Sequence, residues 1–290
     1  MQVVQLTIVN VQNLVSTMTK YGRTSIFMYS SEHQKFLKKR KRRKILITIT
    51  QLLILIVLIV TWELLAKYNI INTFISSSPS RILNTIIDLH KQNNLYNHIW
   101  ITVYETIISF GLGTVIGILI AIILWWNNFI YKVVDPYLTV INSLPKVALG
   151  PIIIIYFGAN MNSIIIMALL ISVIVTTISV YNGFNETDTS KIKLLKSFKA
   201  TKWQIFKMVI LPSSYPTIVS SLKINISMSL IGVIMGEFLV SKEGIGYLIM
   251  YGSQVFNLNL VMAGIIILMI VSIIMYKAVS YIEKILVKKD

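Results

Sequence analysis

Six apolar runs are distributed along the chain, and each is long enough to cross a lipid bilayer as a helix. A helix needs about 20 residues to cross hydrocarbon that is about 30 Å thick. Backbone groups inside lipid must also be hydrogen-bonded within their own segment, which a helix achieves. The pattern therefore predicts an all-α membrane protein whose six transmembrane helices cover residues 45–66, 99–124, 137–157, 162–181, 215–240 and 258–283.

The connectors carry weaker local signals. The first contains an amphipathic stretch, 81–91, which is predicted to form a short helix with Ser80 as its cap. The second span closes at Trp125-Trp126, which is interpreted as an interfacial belt. Residues 127–136 are predicted to be a short loop.

The third predicted span differs from the others because it contains Pro145, Lys146, Gly150 and Pro151. Proline breaks or kinks a helix, and irregular backbone at membrane depth is tolerated only against protein or a water-filled cavity. Lys146 then either faces a cavity that an anionic substrate crosses, or pairs with a nearby acidic group or reaches the interface. The candidate residues of a translocation path are therefore Pro145, Lys146, Gly150 and Glu237, with a structural role as the favoured alternative for Glu237.

A polar run between the fourth and fifth spans has apolar residues at 192, 195, 198, 205 and 208–209, with lysines between them. This spacing is typical of a short amphipathic helix pair that is interrupted near 199–202. Such an element beside the membrane offers a docking surface, and Phe198, Trp203 and Phe206 are the anchors that an interface would use. The alternative is a surface helix whose lysines meet anionic lipid headgroups.

The basic residues are placed asymmetrically, and this explains most of the net charge of +16. Of the 27 lysines and arginines, 21 lie on the side of the N-terminus and four on the opposite side. Basic loops remain in the cytoplasm, so both termini and the polar run are predicted to be cytoplasmic. The run KKRKRRK at 38–44 is interpreted as a topology determinant and lipid anchor rather than a nucleic-acid patch. We divide the chain into a basic cytoplasmic tail, 1–44, and a transmembrane domain, 45–286.

The sequence lacks the residues that common enzyme chemistry requires. There is no cysteine, the three histidines are scattered, and neither a nucleophile elbow nor a zinc-protease motif occurs. The pair Gly244 and Gly246 has no phosphate-binding context. We therefore expect a protein that is not an enzyme and that holds no cofactor or metal.

Several short motifs share their order and spacing with a known family. They are PS at 79–80, SLPKVALGP at 143–151, YFG at 156–158, VILP at 209–212, Gly236-Glu237 and GIGYLI at 244–249. Over residues 45–286 the chain resembles the permease subunits of binding-protein-dependent, type I ABC importers, in the branch that handles nitrate, sulfonate and taurine. The family's cytoplasmic loop has Glu-Ala-Ala where this chain has Lys193-Leu194-Leu195, and glycine where it has Lys199.

The resemblance implies an importer permease that carries a small anion such as a sulfonate, taurine or nitrate. Its partners would be cytoplasmic ABC ATPase subunits that bind the ATP, an extracytoplasmic substrate-binding protein, a second permease copy and membrane lipid, but no nucleic acid. The residues that would dock the ATPase are Leu194, Leu195, Ser197, Phe198, Lys199, Ala200, Thr201, Trp203, Phe206, Leu211 and Pro212. The alternative is an ATP-independent secondary transporter or channel, which would need more buried acidic groups than this chain has.

Four questions stay open at this level. The substrate is not identified, and small vitamin precursors are further candidates. The sequence does not decide between a homodimer and a heterodimer, nor whether translation starts at Met28. It also does not decide whether the loop with Lys193 and Lys199 docks normally. Either the turn at Lys199 uses ordinary dihedral angles or docking is altered, since the left-handed conformation would cost a lysine roughly 1–2 kcal/mol.

Overall fold

The structure of the protein is a computed structural model, which describes residues 31–92 and 94–287. The described chain is helical and contains no strand, as predicted. Its α-helices are α1 Ser31–Lys67, α2 Thr73–Ser76, α3 Pro79–Lys91, α4 Asn94–Trp126, α5 Asn128–Ser143, α6 Gly150–Phe157, α7 Met161–Asn185, α8 Thr189–Ser197, α9 Lys202–Ile205, α10 Leu211–Val240, α11 Ile245–Gln254 and α12 Leu258–Val287. A 3₁₀ turn, Lys146–Leu149, precedes α6, and a π-helical turn, Phe206–Ile210, joins α9 to α10.

The count of six spans agrees with the prediction. Five helices are long and apolar enough to cross a membrane, and a bent pair supplies the sixth span. Each predicted apolar run other than the third lies inside one long helix. The six-span, all-α fold class is therefore confirmed.

The chain forms two units that divide between Lys67 and Tyr68. In the first unit, α1 begins before the basic run, so residues 38–44 lie on the same helix as the predicted first span. The separation of a tail, 1–44, from a transmembrane domain, 45–286, stays a prediction. The segment 1–27 and the alternative start at Met28 lie outside the described residues.

The second unit is built around α4, α7 and α10, which pack closely along their lengths. Small residues allow this approach: a Cβ added to Gly113 would clash with Ser172, and one added to Gly232 would clash with the backbone of Ala168. Without a hydrophobic driving force between helices in lipid, such close packing and interhelical hydrogen bonds hold a bundle together. The α4 C-terminus at Trp126 and the α10 C-terminus near Glu237 lie at opposite ends of the bundle, which we call the Trp126 end and the Glu237 end.

The third span is broken as Pro145 predicts. Helix α5 ends at Ser143, and the segment Lys146–Phe157 continues at an angle of 92° to it. The expectation of a loop over 127–136 is wrong, because this segment forms the first half of α5. The Asn127 side chain accepts hydrogen bonds from the Phe129 and Ile130 amides and so caps the helix.

The connector between the first two spans contains the amphipathic helix that its pattern predicts, as α3. Its cap differs from the expected one. The residue that accepts a hydrogen bond from the Arg81 amide is Ser78, and the expected cap, Ser80, lies inside the helix. Pro79 at the first helical position explains the shift, since proline is favoured there.

Candidate docking site and buried cap cluster

Residues 189–212, the docking element, begin with α8. The Asp188 side chain accepts a hydrogen bond of 2.8 Å from the Ser190 amide and caps the helix. This hydrogen bond holds the pKa of Asp188 below its ordinary value, because it favours the charged carboxylate. A negative charge at this position also suits the positive end of the helix dipole. The sequence therefore fixes the start of α8 locally.

The turn after α8 uses the left-handed backbone conformation, with Lys199 at a φ of 56°. The Lys199 amide donates to the Lys196 carbonyl at 2.9 Å, and the Ala200 amide donates to the Leu195 carbonyl at 3.0 Å. This is the hydrogen-bond pattern of a Schellman motif, in which glycine is usual at the position of Lys199. The lysine therefore keeps the backbone shape of a glycine turn, and the alternative of ordinary dihedral angles is wrong.

Helix α9 starts with a reciprocal cap and continues into the membrane segment. The Thr201 hydroxyl accepts from the Gln204 amide, and the Gln204 side chain accepts from the Thr201 amide at 2.7 Å. The π-helical turn Phe206–Ile210 then leads into α10, where Pro212 occupies the first turn. The segment Lys202–Val240 is thus one helical span of 39 residues.

The predicted docking residues divide into exposed and buried groups. Leu194, Phe198 and Trp203 are 58%, 74% and 57% exposed. The Trp203 ring also stacks on the buried Phe206, with the centroids 6.0 Å apart. Leu195 and Ala200 are partly buried against the core beneath the element. The remaining predicted docking residues are exposed as well, apart from Phe206. They are the polar Ser197, Lys199 and Thr201, and Leu211 and Pro212 at the end of the element.

Phe206 is a correction to the predicted anchors. Its side chain is 4% exposed and lies in a core cluster with residues of α4 and α7. Its ring centroid is 5.0 Å from that of Trp125 and 5.6 Å from that of Phe184. Phe206 therefore anchors the docking element to its own bundle and does not offer a surface to a partner.

A second connection ties the docking element to the Trp126 end of the bundle. The Lys202 ammonium donates a hydrogen bond to the Trp126 carbonyl, at the end of α4. The same ammonium lies 5.4 Å from the Trp125 ring and 5.7 Å from the Trp126 ring. A cation that binds a terminal helix carbonyl and aromatic faces satisfies an otherwise unpaired acceptor. The two tryptophans, interpreted from the sequence as an interfacial belt, also hold this contact.

The four candidate residues of a translocation path are not brought together in this conformation. Pro145 is exposed, and the half-buried Lys146 donates from Nζ to the Asn142 carbonyl at 2.8 Å. Gly150 is buried, and a Cβ there would clash with Leu239. Glu237 is 1% exposed. Only the Pro145–Lys146 corner is therefore open to solvent or a second chain.

The Glu237 end contains a buried polar arrangement that sequence reasoning largely missed. Three consecutive amides at the start of α11 each donate to a different side chain. The Gly244 amide donates to His98 Nδ1 at 2.9 Å, the Ile245 amide to Thr102 Oγ1 at 2.8 Å, and the Gly246 amide to Glu237 Oε2 at 2.5 Å. We call His98, Thr102 and Glu237 the cap cluster.

The cap cluster is linked internally as well. The Thr102 hydroxyl accepts from the Ile245 amide and donates to Glu237 Oε1 at 2.6 Å. The cluster therefore satisfies the free amides that every helix N-terminus carries and joins α4, α10 and α11. His98 and Thr102 are spaced i, i+4 on α4, which places them on one face, but the sequence alone does not reveal which partner that face meets.

Comparison with known proteins identifies the family. Residues 113–288 match the family described as the binding-protein-dependent transport system inner membrane component. The formylaminopyrimidine transport permease protein ThiX of Halalkalibacterium halodurans is 30% identical, over 81% of this chain and 93% of that protein. The putative aliphatic sulfonates transport permease protein SsuC of Bacillus subtilis is 27% identical, over 82% of this chain and 86% of that protein.

A solved structure supports the fold. The inward-facing MetNI methionine ABC transporter contains a chain that superposes with a TM-score of 0.58 at 20% identity, over 68% of this chain and 97% of that one. These relatives are transport permeases and not enzymes, and their family membership decides against an ATP-independent transporter or channel. Permeases of this kind work with an ATPase and a substrate-binding protein. The chain belongs to the family of inner membrane components of binding-protein-dependent transport systems, the permease subunits of ABC importers.

Proposed function

We propose that the docking element binds a cytoplasmic ABC ATPase through Leu194, Phe198 and Trp203. The observation that carries this proposal is the exposure of three large apolar side chains on an element whose backbone is fixed by a cap, a Schellman turn and a capping box. Hot spots of protein interfaces are large side chains held on rigid supports. Leu194 and Phe198 are one helical turn apart and present a continuous ridge.

The connection from the docking element to the far end of the bundle supports a coupling role. The segment Lys202–Val240 is helical throughout its 39 residues, which corresponds to about 58 Å at 1.5 Å per residue. It carries Trp203 near one end and Glu237 near the other, where the cap cluster holds the start of α11. A movement of the ATPase against Trp203 is thereby transmitted to α11, on the side where substrate is delivered.

The arrangement in the membrane follows from the charge distribution. Both termini and the docking element lie in the cytoplasm, because the basic residues concentrate on that side. The basic run at 38–44 contacts anionic lipid headgroups. Two copies of this chain form the substrate path, and the corner at Pro145–Lys146, where the third span is broken, lines it.

The substrate is a small anion such as a sulfonate, taurine or nitrate. This assignment is supported by the motifs at 143–151 and 244–249 and by the similarity to the sulfonate permease. A small vitamin precursor is the second candidate, because the 30% identical relative is a formylaminopyrimidine permease. Uptake into proteoliposomes that contain the complex with its own binding protein distinguishes the two candidates. Competition by an alkanesulfonate supports the small anion, and competition only by a formylaminopyrimidine contradicts it.

Docking is tested with the double variant Leu194→Ala, Phe198→Ala. Each anchor contributes about 2 kcal/mol at an interface, so ATPase affinity should fall by roughly a thousandfold. The matched control is Phe256→Ala, whose side chain is also 74% exposed but lies after α11 at the other end of the bundle. ATPase that co-purifies equally with the double variant and the control would contradict the proposal.

A further inference from the structure

A second acidic residue contacts the cap cluster and has no evident charge partner. Glu105 lies on α4 one turn after Thr102, and its side chain is 2% exposed. Glu105 shares this face of α4 with Thr102, whose hydroxyl lies 2.6 Å from Glu237 Oε1, and the carboxyl groups of Glu105 and Glu237 are within hydrogen-bonding reach of each other. Oxygen Oε2 of Glu105 is buried and has no hydrogen-bond partner. Two carboxyl groups thus meet inside the helix bundle.

Only Glu237 is surrounded by donors that stabilise a negative charge. Its Oε2 accepts from the Gly246 amide and its Oε1 from the Thr102 hydroxyl. The positive end of the α11 dipole adds to this stabilisation. Because both oxygens accept hydrogen bonds from fixed donors, Glu237 is suited to hold the charge.

No cation neutralises a second charge at this position. Neither carboxyl group forms a salt bridge in the described part of the chain. Lys223, on the same helix as Glu237, pairs instead with Glu283, with Nζ and Oε2 2.6 Å apart. The other titratable groups that face the pair are His98, which accepts from the Gly244 amide, Glu243, whose charge acts on His98, and Tyr247, which stacks on His98. An uncompensated carboxylate in a low-dielectric interior is strongly unfavourable, and two adjacent carboxylates repel each other.

We propose that the Glu105–Glu237 pair is a proton-binding site in the membrane interior, where Glu105 holds one proton and donates it in a hydrogen bond to the ionised Glu237. The bound proton removes the second charge and supplies the hydrogen bond between the two buried carboxyl groups. It also keeps Glu237 turned toward the amides of α11. The site goes beyond substrate transport and ATPase docking, since it lies neither in the docking element nor at the Pro145–Lys146 corner that is proposed to line the substrate path.

Infrared spectroscopy of the purified chain in lipid tests this directly. At pH 8, where exposed carboxyl groups are ionised, the wild-type chain should show the carbonyl band of one protonated glutamic acid. Labelling the glutamates with ¹³C separates this band from lipid esters and aspartates, so the wild-type protein alone gives an answer. A labelled spectrum without such a band would overturn the proposal.

Two variants assign the proton. Glu105→Gln keeps a donor toward Glu237 and should abolish the band, whereas the control Glu283→Gln, in the Lys223 ion pair, should leave it unchanged. A band that persists in Glu105→Gln would overturn the assignment to Glu105. A sodium or potassium ion bound between the carboxylates is the alternative source of positive charge. A band that is absent in sodium or potassium buffer, and appears only when N-methylglucamine replaces these ions, would contradict a resident proton.

Discussion

The conformation of Lys199 makes a quantitative prediction about the docking element. A non-glycine residue in the left-handed region costs roughly 1–2 kcal/mol, while glycine adopts it freely but loses more backbone entropy on ordering. Lys199→Gly should therefore stabilise the turn by about 1 kcal/mol. The lysine makes no hydrogen bond through its exposed side chain that would offset this gain in the described structure.

Hydrogen exchange at the turn measures this effect, because the amides of residues 199 and 200 are both bonded back into α8. A gain of about 1 kcal/mol slows their exchange by about fivefold. The matched control is Lys193→Gly, inside α8, which should accelerate exchange by a similar factor because glycine destabilises a helix interior. Faster exchange in Lys199→Gly would refute the argument that the lysine is strained.

Three further predictions concern the membrane region and its contact with the docking element. Cysteine at Lys146, in a chain without native cysteine, should react with a membrane-impermeant thiol reagent in at least one transport state, and protection in resting, ATP-trapped and substrate-loaded states would contradict a path there. Gly113→Ala should lower the free energy of unfolding by about 1–3 kcal/mol through overpacking. The control Gly111→Ala, at a position that faces open space, should have no such effect, and equal melting temperatures of the two variants would contradict the packing. Lys202→Met should weaken stimulation of the ATPase by the binding protein, at a cost of about 1 kcal/mol for an exposed contact, with recovery in Lys202→Arg; full stimulation in Lys202→Met would contradict a coupling role for its contact with Trp126.

The elements that the sequence predicts are those determined by local pattern. The spans follow from long, predominantly apolar runs, and the break in the third span follows from Pro145, which cannot continue a helix. The helix pair of the docking element follows from periodicity, although the sequence did not decide the conformation at Lys199. The loop expected over 127–136 was wrong, because the Asn127 cap starts a helix that accommodates Pro136.

The parts that were not predicted depend on contacts between residues far apart in the chain. The burial of Phe206 requires α4 and α7 to pack beneath the docking element, and an amphipathic pattern does not distinguish a face toward the core from one toward a partner. The cap cluster joins positions 98 and 244, which are 146 residues apart. The sequence did suggest a structural role for Glu237, but neither its bond to Thr102 nor its contact with Glu105 has a local signal.

The most direct test of the central claim is a cross-link from the tip of the docking element. Phe198→Cys, modified with a photoreactive maleimide in native membranes and illuminated, should form an adduct with an ATPase subunit that mass spectrometry identifies by its nucleotide-binding motifs. The equally exposed Phe256→Cys should form no such adduct, because it lies at the Glu237 end. An ATPase adduct at 198 and none at 256 is the result that the account predicts, and the absence of an adduct at 198, or its appearance at 256 instead, would contradict it.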